Sequence, residues 1–262
     1  MVKRFFGKRK LNIICSVAAL VLIALVWIIT YYSVKNDYII PSLGETFKSF
    51  FKCLGEQTFW TAFGLTFLRT ATGFIISFAL ALLCAALSYC SKIFSAVLRP
   101  FMVILRTLPT LAVILILLVW TTPKIAPVIV TVLVLFPMIY SQITAAAEGI
   151  DGGLKEMADI YQISKKDRLF KIYLPSASPN VLSQTGADLS LGLKIMVSAE
   201  VLCATYKSLG GLMQTAKNVY YDMPRLAALT IAAIIIGFIV EIAFSQLARI
   251  TYKWSRKEGG YD

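Results

Sequence analysis

The chain has 262 residues, 58% of them hydrophobic and 15% charged, with a formal net charge of +12. Its apolar residues fall in long blocks of about 20, the length that crosses a ~30 Å hydrocarbon core, which excludes an ordinary soluble domain. The cations lie in the gaps between blocks and form no single stripe, which excludes a nucleic-acid surface, and the absence of histidine removes His-based metal sites and general bases.

The opening MVKRFFGKRK precedes an apolar block over 11–32 that is too long for the core of a signal peptide and is followed by no small-x-small cleavage pattern. It is predicted as a first span. A polar segment over 33–60 is broken by Pro41 and Gly44, and a short amphipathic helix is predicted over 45–54 with Phe47, Phe50, Phe51 and Leu54 on one face. Further spans are predicted over about 65–89, 101–120, 125–146, 181–204 and 226–250, with a polar stretch at 148–175 and a Gly- and Tyr-containing segment up to Pro224. The expected fold is an all-α membrane protein of about six transmembrane helices in a single domain over 1–262. The span over 11–32 stands apart from a core over about 60–250, and no internal repeat divides the chain. The five cysteines (Cys15, Cys53, Cys84, Cys90 and Cys203) mostly fall within or beside spans and read as small apolar residues, not a disulfide framework.

Six spans put both termini on one side. Placing that side in the cytoplasm leaves sixteen Lys and Arg there against seven in the opposite loops, so the positive-inside rule sends both termini and the 148–175 loop to the cytoplasm.

Within that loop Leu154, Met157, Ala158 and Tyr161 recur at i, i+3, i+4 and i+7, one apolar face of a short helix. Ser164 stands three residues before Asp167, an N-cap pair opening a second helix through Arg168, Leu169, Phe170 and Ile172. Pro175 is expected to end that helix, with Leu174 pushed out of helical conformation. The apolar face suits either a helix resting on lipid or a helix docked in a groove of a soluble partner, and periodicity does not separate the two.

The residues themselves carry a resemblance. Glu156-Met157-Ala158, followed at fixed spacing by Gln162 and by Ile172, Leu174 and Pro175, resembles the EAA signature of ABC-importer permeases: E-A-A, three residues, G, nine residues, I-x-L-P. Met157 replaces the middle alanine, and Gln162 stands where glycine would permit φ > 0 at the turn. Leu105-Arg106-Thr107-Leu108-Pro109, Ala199-Glu200-Val201-Leu202 and Leu209-Gly210-Gly211-Leu212 are similar to segments of the nitrate/sulfonate/taurine group. The resemblance covers roughly 45–250 and implies a type I importer permease in a bacterial cytoplasmic membrane.

It further implies a second permease subunit (a homodimer), an extracytoplasmic solute-binding protein, and a cytoplasmic P-loop ATPase that takes the 148–175 loop as a coupling helix. The chain has no G-x-x-x-x-G-K-[ST], so the ATPase is expected on another chain and no cofactor on this one. The implied solute is a small anion such as a sulfonate or nitrate, or a pyrimidine-type vitamin precursor.

Ionisable residues inside spans mark function or structural pairs. Arg69 and Glu241 lie near span ends and suit snorkelling. Arg106, Lys194 and Glu200 are candidates for the translocation pathway, Lys194 first, the alternative for it being an ion pair with another span. Arg106 also stands beside a proline kink whose freed carbonyls it could satisfy. Asp188, Lys194 and Glu200 are spaced by six residues and share no stripe. The small residues over 186–190 with Gly192 suit close packing at a dimer interface. A membrane-embedded enzyme lacks its paired acids, Ser–His pair or metal cluster here. An ATP-independent carrier is the other alternative.

Overall fold

A computed structural model describes the backbone of residues 2–36 and 38–258, with the side chains of 15, 18, 19 and 21–247 apart from 37 and 165. Part of the C-terminal tail read from the sequence, 259–262, lies outside the described residues. The helices are α1 (Val2–Val34), α2 (Leu43–Gly55), α3 (Gln57–Cys90), α4 (Lys92–Thr107), α5 (Thr110–Trp120), α6 (Ala126–Glu148), α7 (Gly152–Ile160), α8 (Lys165–Asp167), α9 (Leu174–Leu202), α10 (Leu209–Asn218) and α11 (Met223–Glu258), with a π-helical turn at Arg168–Tyr173.

Three stretches, Gln57–Cys90, Ala126–Glu148 and Met223–Leu247, are long and apolar enough to cross a bilayer, and α4 with α5 adds a fourth if the bent pair is one span. The expected six also include α1 and α9. Helix α9 has 29 residues, about 44 Å at helical rise. Its hydroxyls and three charged side chains make it less apolar than the others. The described apolar stretch of α1 is Val21–Val34.

The span expected over 101–120 is two helices that meet at a 95° bend. Leu108 precedes Pro109, whose ring disfavours helical conformation before it, and Leu108 is extended at φ −63° and ψ 127°. Helix α2 forms where predicted, started by Ser42, whose hydroxyl accepts from Glu45 N. Its four-residue face divides, however. Phe50 and Leu54 pack on the core while Phe47 and Phe51 stay exposed.

Helix α9 is the hub of the bundle. Leu193 and Val197 join Phe59, Leu209 and Leu229 in one apolar cluster. Val181 joins Ala81, Met102 and Ile139 in a second, and Ala199 joins Ile114 and Val130 in a third. Small residues let its neighbours approach. A Cβ at Gly186 would lie 2.6 Å from the Glu241 carbonyl of α11, and one at Gly192 would lie 3.0 Å from Leu135 of α6. Of the small-residue run expected at a dimer interface, Gly186 and Gly192 pack within the chain, while Ala187 is exposed.

Candidate functional site

The segment between α6 and α9 is built from local hydrogen bonds. Asp151 caps α7, its Oδ1 accepting from Gly153 N at 3.1 Å, and Lys155 Nζ donates to the Glu148 carbonyl at 2.8 Å. At the other end Gln162 N donates to Asp159 O at 3.1 Å and Ile163 N to Ala158 O at 3.0 Å. Those two bonds make a Schellman turn, which needs a left-handed residue, and Gln162 supplies it at φ 49°. The side chain at the glycine position of the signature thus adopts the backbone shape a glycine would.

Ser164 Oγ then accepts from Asp167 N at 3.1 Å and donates to Asp167 Oδ2 at 2.8 Å, the N-cap pair expected from the sequence. Hydrogen bonds from Lys171 and Ser164 hold the Asp167 carboxyl below its ordinary value. Arg168 Nη2 reaches back to Asp159 Oδ1 at 2.6 Å, tying α7 to the following turn.

Pro175 does not end this helix, contrary to expectation. Leu174 is helical at φ −62° and ψ −48°, and Pro175 is the second residue of α9, which continues directly from the π-helical turn. The π-turn before it, with Leu174 N bonded to Leu169 O, widens the backbone where the proline ring would otherwise press on the carbonyl four residues earlier. From Lys165 to Leu202 the path is continuously helical.

Of the predicted apolar face, Ala158 alone is buried in the chain; Leu154, Met157 and Tyr161 are exposed, as is Ile160 beside them. Glu156 is exposed and makes no side-chain hydrogen bond or ion pair among the described residues. Ile172 is half-buried, and Leu174 and Pro175 are exposed at the entry to α9.

The charged candidates in the spans separate. Glu200, fully buried, pairs with Arg69 at 3.0 Å. It also accepts from Thr66 Oγ1 at 2.9 Å and from Gly210 N at 3.4 Å. Thr66 Oγ1 in turn accepts from Leu209 N at 3.0 Å, so one carboxylate joins α3, α9 and α10. Gly210 is required there, since a Cβ would lie 2.6 Å from the Val197 carbonyl. Arg69 is a structural partner and does not snorkel. The sequence signal was Thr66 and Arg69 at i, i+3 on one face of a span, which calls for a buried acid without naming it.

Arg106 Nη2 donates to the Pro137 carbonyl of α6 at 2.8 Å, not to its own kinked helix. Asp188 is buried and accepts from Gln142 Nε2 at 2.9 Å. Lys194 is exposed, and among the described residues its ammonium meets no carboxylate. It belongs to a ridge of exposed α9 residues, Asn180, Gln184, Ala187, Lys194 and Ser198, at helical spacing. Such a ridge is unsuited to lipid.

Long apolar helices, one amphipathic excursion at one end and a polar ridge along the central helix define a polytopic membrane transport subunit. The chain belongs to the family of binding-protein-dependent transport system inner membrane components, whose model matches residues 77–253. That family is a transport permease, not an enzyme. The chain is 27% identical over 195 residues to the putative aliphatic sulfonates transport permease protein SsuC of Bacillus subtilis (strain 168), covering 73% of this chain and 69% of the relative. It is 24% identical over 159 residues to the taurine transport system permease protein TauC of Escherichia coli (strain K12), covering 60% and 57%.

The fold is similar to that of solved ABC transporters. A chain of an amino acid ABC transporter crystallised with histidines has TM-score 0.62 and 20% identity, covering 75% of this chain and 93% of that one. A chain of a bacterial ABC transporter involved in alginate import has TM-score 0.64 and 14% identity, covering 89% and 94%.

Proposed function

We propose that this chain pairs with a second permease subunit to form the membrane path of an importer for a small organic anion. A separate cytoplasmic P-loop ATPase drives it by gripping α7, and an extracytoplasmic binding protein delivers the solute. The observation that carries the reading is α7 itself. Its capped and turn-locked helix presents Leu154, Met157, Ile160 and Tyr161 outward beside Glu156. An apolar helix face held rigid and left uncovered fits a groove on a partner.

The anion class is supported by Lys194, an uncompensated cation on the α9 ridge, and by the solutes for which the two relatives are named. Glu200 serves the path by fixing α9 against α3 and α10.

The test is to purify the tagged full chain from its native membranes in mild detergent and identify stoichiometric companions. A P-loop ATPase is expected with the natural chain and is expected to be lost with Met157→Glu and weakened with Glu156→Ala. A chain that emerges alone even after crosslinking sinks the reading in favour of an ATP-independent carrier.

A further inference from the structure

A cavity of about 780 Å³ opens between the C-terminal end of α3, α4, the C-terminal half of α6 and the start of α9. Its walls are apolar at Leu82, Leu83, Met102, Val103, Ile143 and Ala177. Two cations break that surface. Arg99 and Arg106 both line the cavity and both are exposed, two turns apart on α4, or about 10 Å along its axis. Arg99 has no hydrogen bond or ion pair among the described residues, and Arg106 has its single bond to Pro137 O.

Hydroxyl groups complete the polar side. Ser88 and Tyr140 are hydrogen-bonded at 2.9 Å, and Ser95, Ser141 and Thr144 join them on the lining. Glu148 is the one carboxylate residue among the lining residues, and it bridges to neither arginine.

Guanidinium groups above apolar walls match an anionic head on a hydrocarbon body, because guanidinium binds phosphate oxygens in pairs while the walls take methylene groups. The cavity lies at the end of the bundle that carries the 148–175 segment. On the proposed orientation, on which this inference rests, that end meets the cytoplasmic leaflet, where basic pockets between spans hold anionic headgroups. We propose that the cavity holds an anionic phospholipid of that leaflet, its phosphate between Arg99 and Arg106 and its upper acyl chain on the α3 and α6 walls.

The cavity is also lined by Leu169, Phe170, Tyr173 and Leu174, from the turn that joins the α7 segment to α9. Tyr173 packs on Tyr89 with ring centroids 4.7 Å apart. A lipid seated here braces that turn, so lipid composition tunes how firmly the docking segment is held.

The test uses the full chain in mild detergent and native mass spectrometry, titrating dioleoyl phosphatidylglycerol against dioleoyl phosphatidylcholine. One phosphatidylglycerol is expected to bind about tenfold more tightly than phosphatidylcholine, with most of that preference lost in Arg99→Gln and part of it kept in Arg99→Lys, which retains charge without the fork. Melting without added lipid is expected to be the same for Arg99→Gln as for the natural chain, since Arg99 has no protein partner to lose. Equal binding of the two lipids, or an undiminished preference in Arg99→Gln, overturns the proposal. So does an Arg99-dependent stabilisation by hexanesulfonate with no response to phosphatidylglycerol, which would make the cavity a soluble-anion site. Binding to the isolated chain needs neither an ATPase nor an oriented membrane, so this result and the failure of α7 to hold an ATPase are read separately.

Discussion

Gln162 holds φ 49° because the two hydrogen bonds that close α7 fix its backbone, not because its side chain favours it. A non-glycine residue in the left-handed region costs roughly 1 kcal/mol, so Gln162→Gly is expected to stabilise the segment by about that much. Slower amide exchange at Tyr161–Ile163 in the purified chain would show it; faster exchange would mean that the side chain supports the turn. Buried Glu200 offers the opposite case. Glu200→Ala leaves Arg69 and Thr66 without their partner and is expected to cost roughly 3 kcal/mol of resistance to denaturation. Adding Arg69→Ala should cost far less than the two single losses combined, because both act through one interaction. Additive losses would show that the residues do not act as a pair. The Ser164–Asp167 cap was legible in the sequence because its partners lie within one turn. The Arg69–Glu200 pair was not, since its members are 131 positions apart and no local pattern links them.

At the scale of elements, close approach of α9 and α11 depends on Gly186. Gly186→Ala places a methyl 2.6 Å from a backbone carbonyl that cannot yield without moving a helix, and is expected to lower the melting temperature measurably. Gly64 has nothing within 4 Å of its missing Cβ, so Gly64→Ala is the control and should leave melting unchanged or raise it. Equal effects at the two sites would refute the packing role of Gly186. The long helices were legible from apolar length, α7 from its periodicity, and the limits of α2 and α6 from turn residues, whereas α10 stands in a segment read only as Gly- and Tyr-containing. The prolines were harder to read. Pro109 breaks a span expected to run through it, whereas Pro175 sits inside a helix it was expected to end. Pro100, Pro137 and Pro179 sit inside helices that continue past them, so a proline alone does not mark a break, and the π-turn before Pro175 has no signature in the sequence.

For the whole molecule, the charge distribution predicts which end faces the cytoplasm. An impermeant maleimide should label Tyr206→Cys in intact cells and Lys166→Cys only after lysis, with the natural chain giving the background of its own five cysteines. The reverse pattern would invert the orientation and remove α7 from reach of any cytoplasmic ATPase.

The unbroken helical run from Lys165 to Leu202 has a mechanical consequence. If a partner grips α7 as proposed, the run is a lever driven from its Lys165 end, with its fulcrum at Glu200, where three helices are fastened to one carboxylate. A tilt of a few degrees about that fulcrum sweeps the Lys165 end through several ångström, while Lys194, fewer than two turns from Glu200, barely moves. On that proposal, motion delivered at α7 displaces the Asn180 end of the ridge and leaves its Ser198 end nearly still.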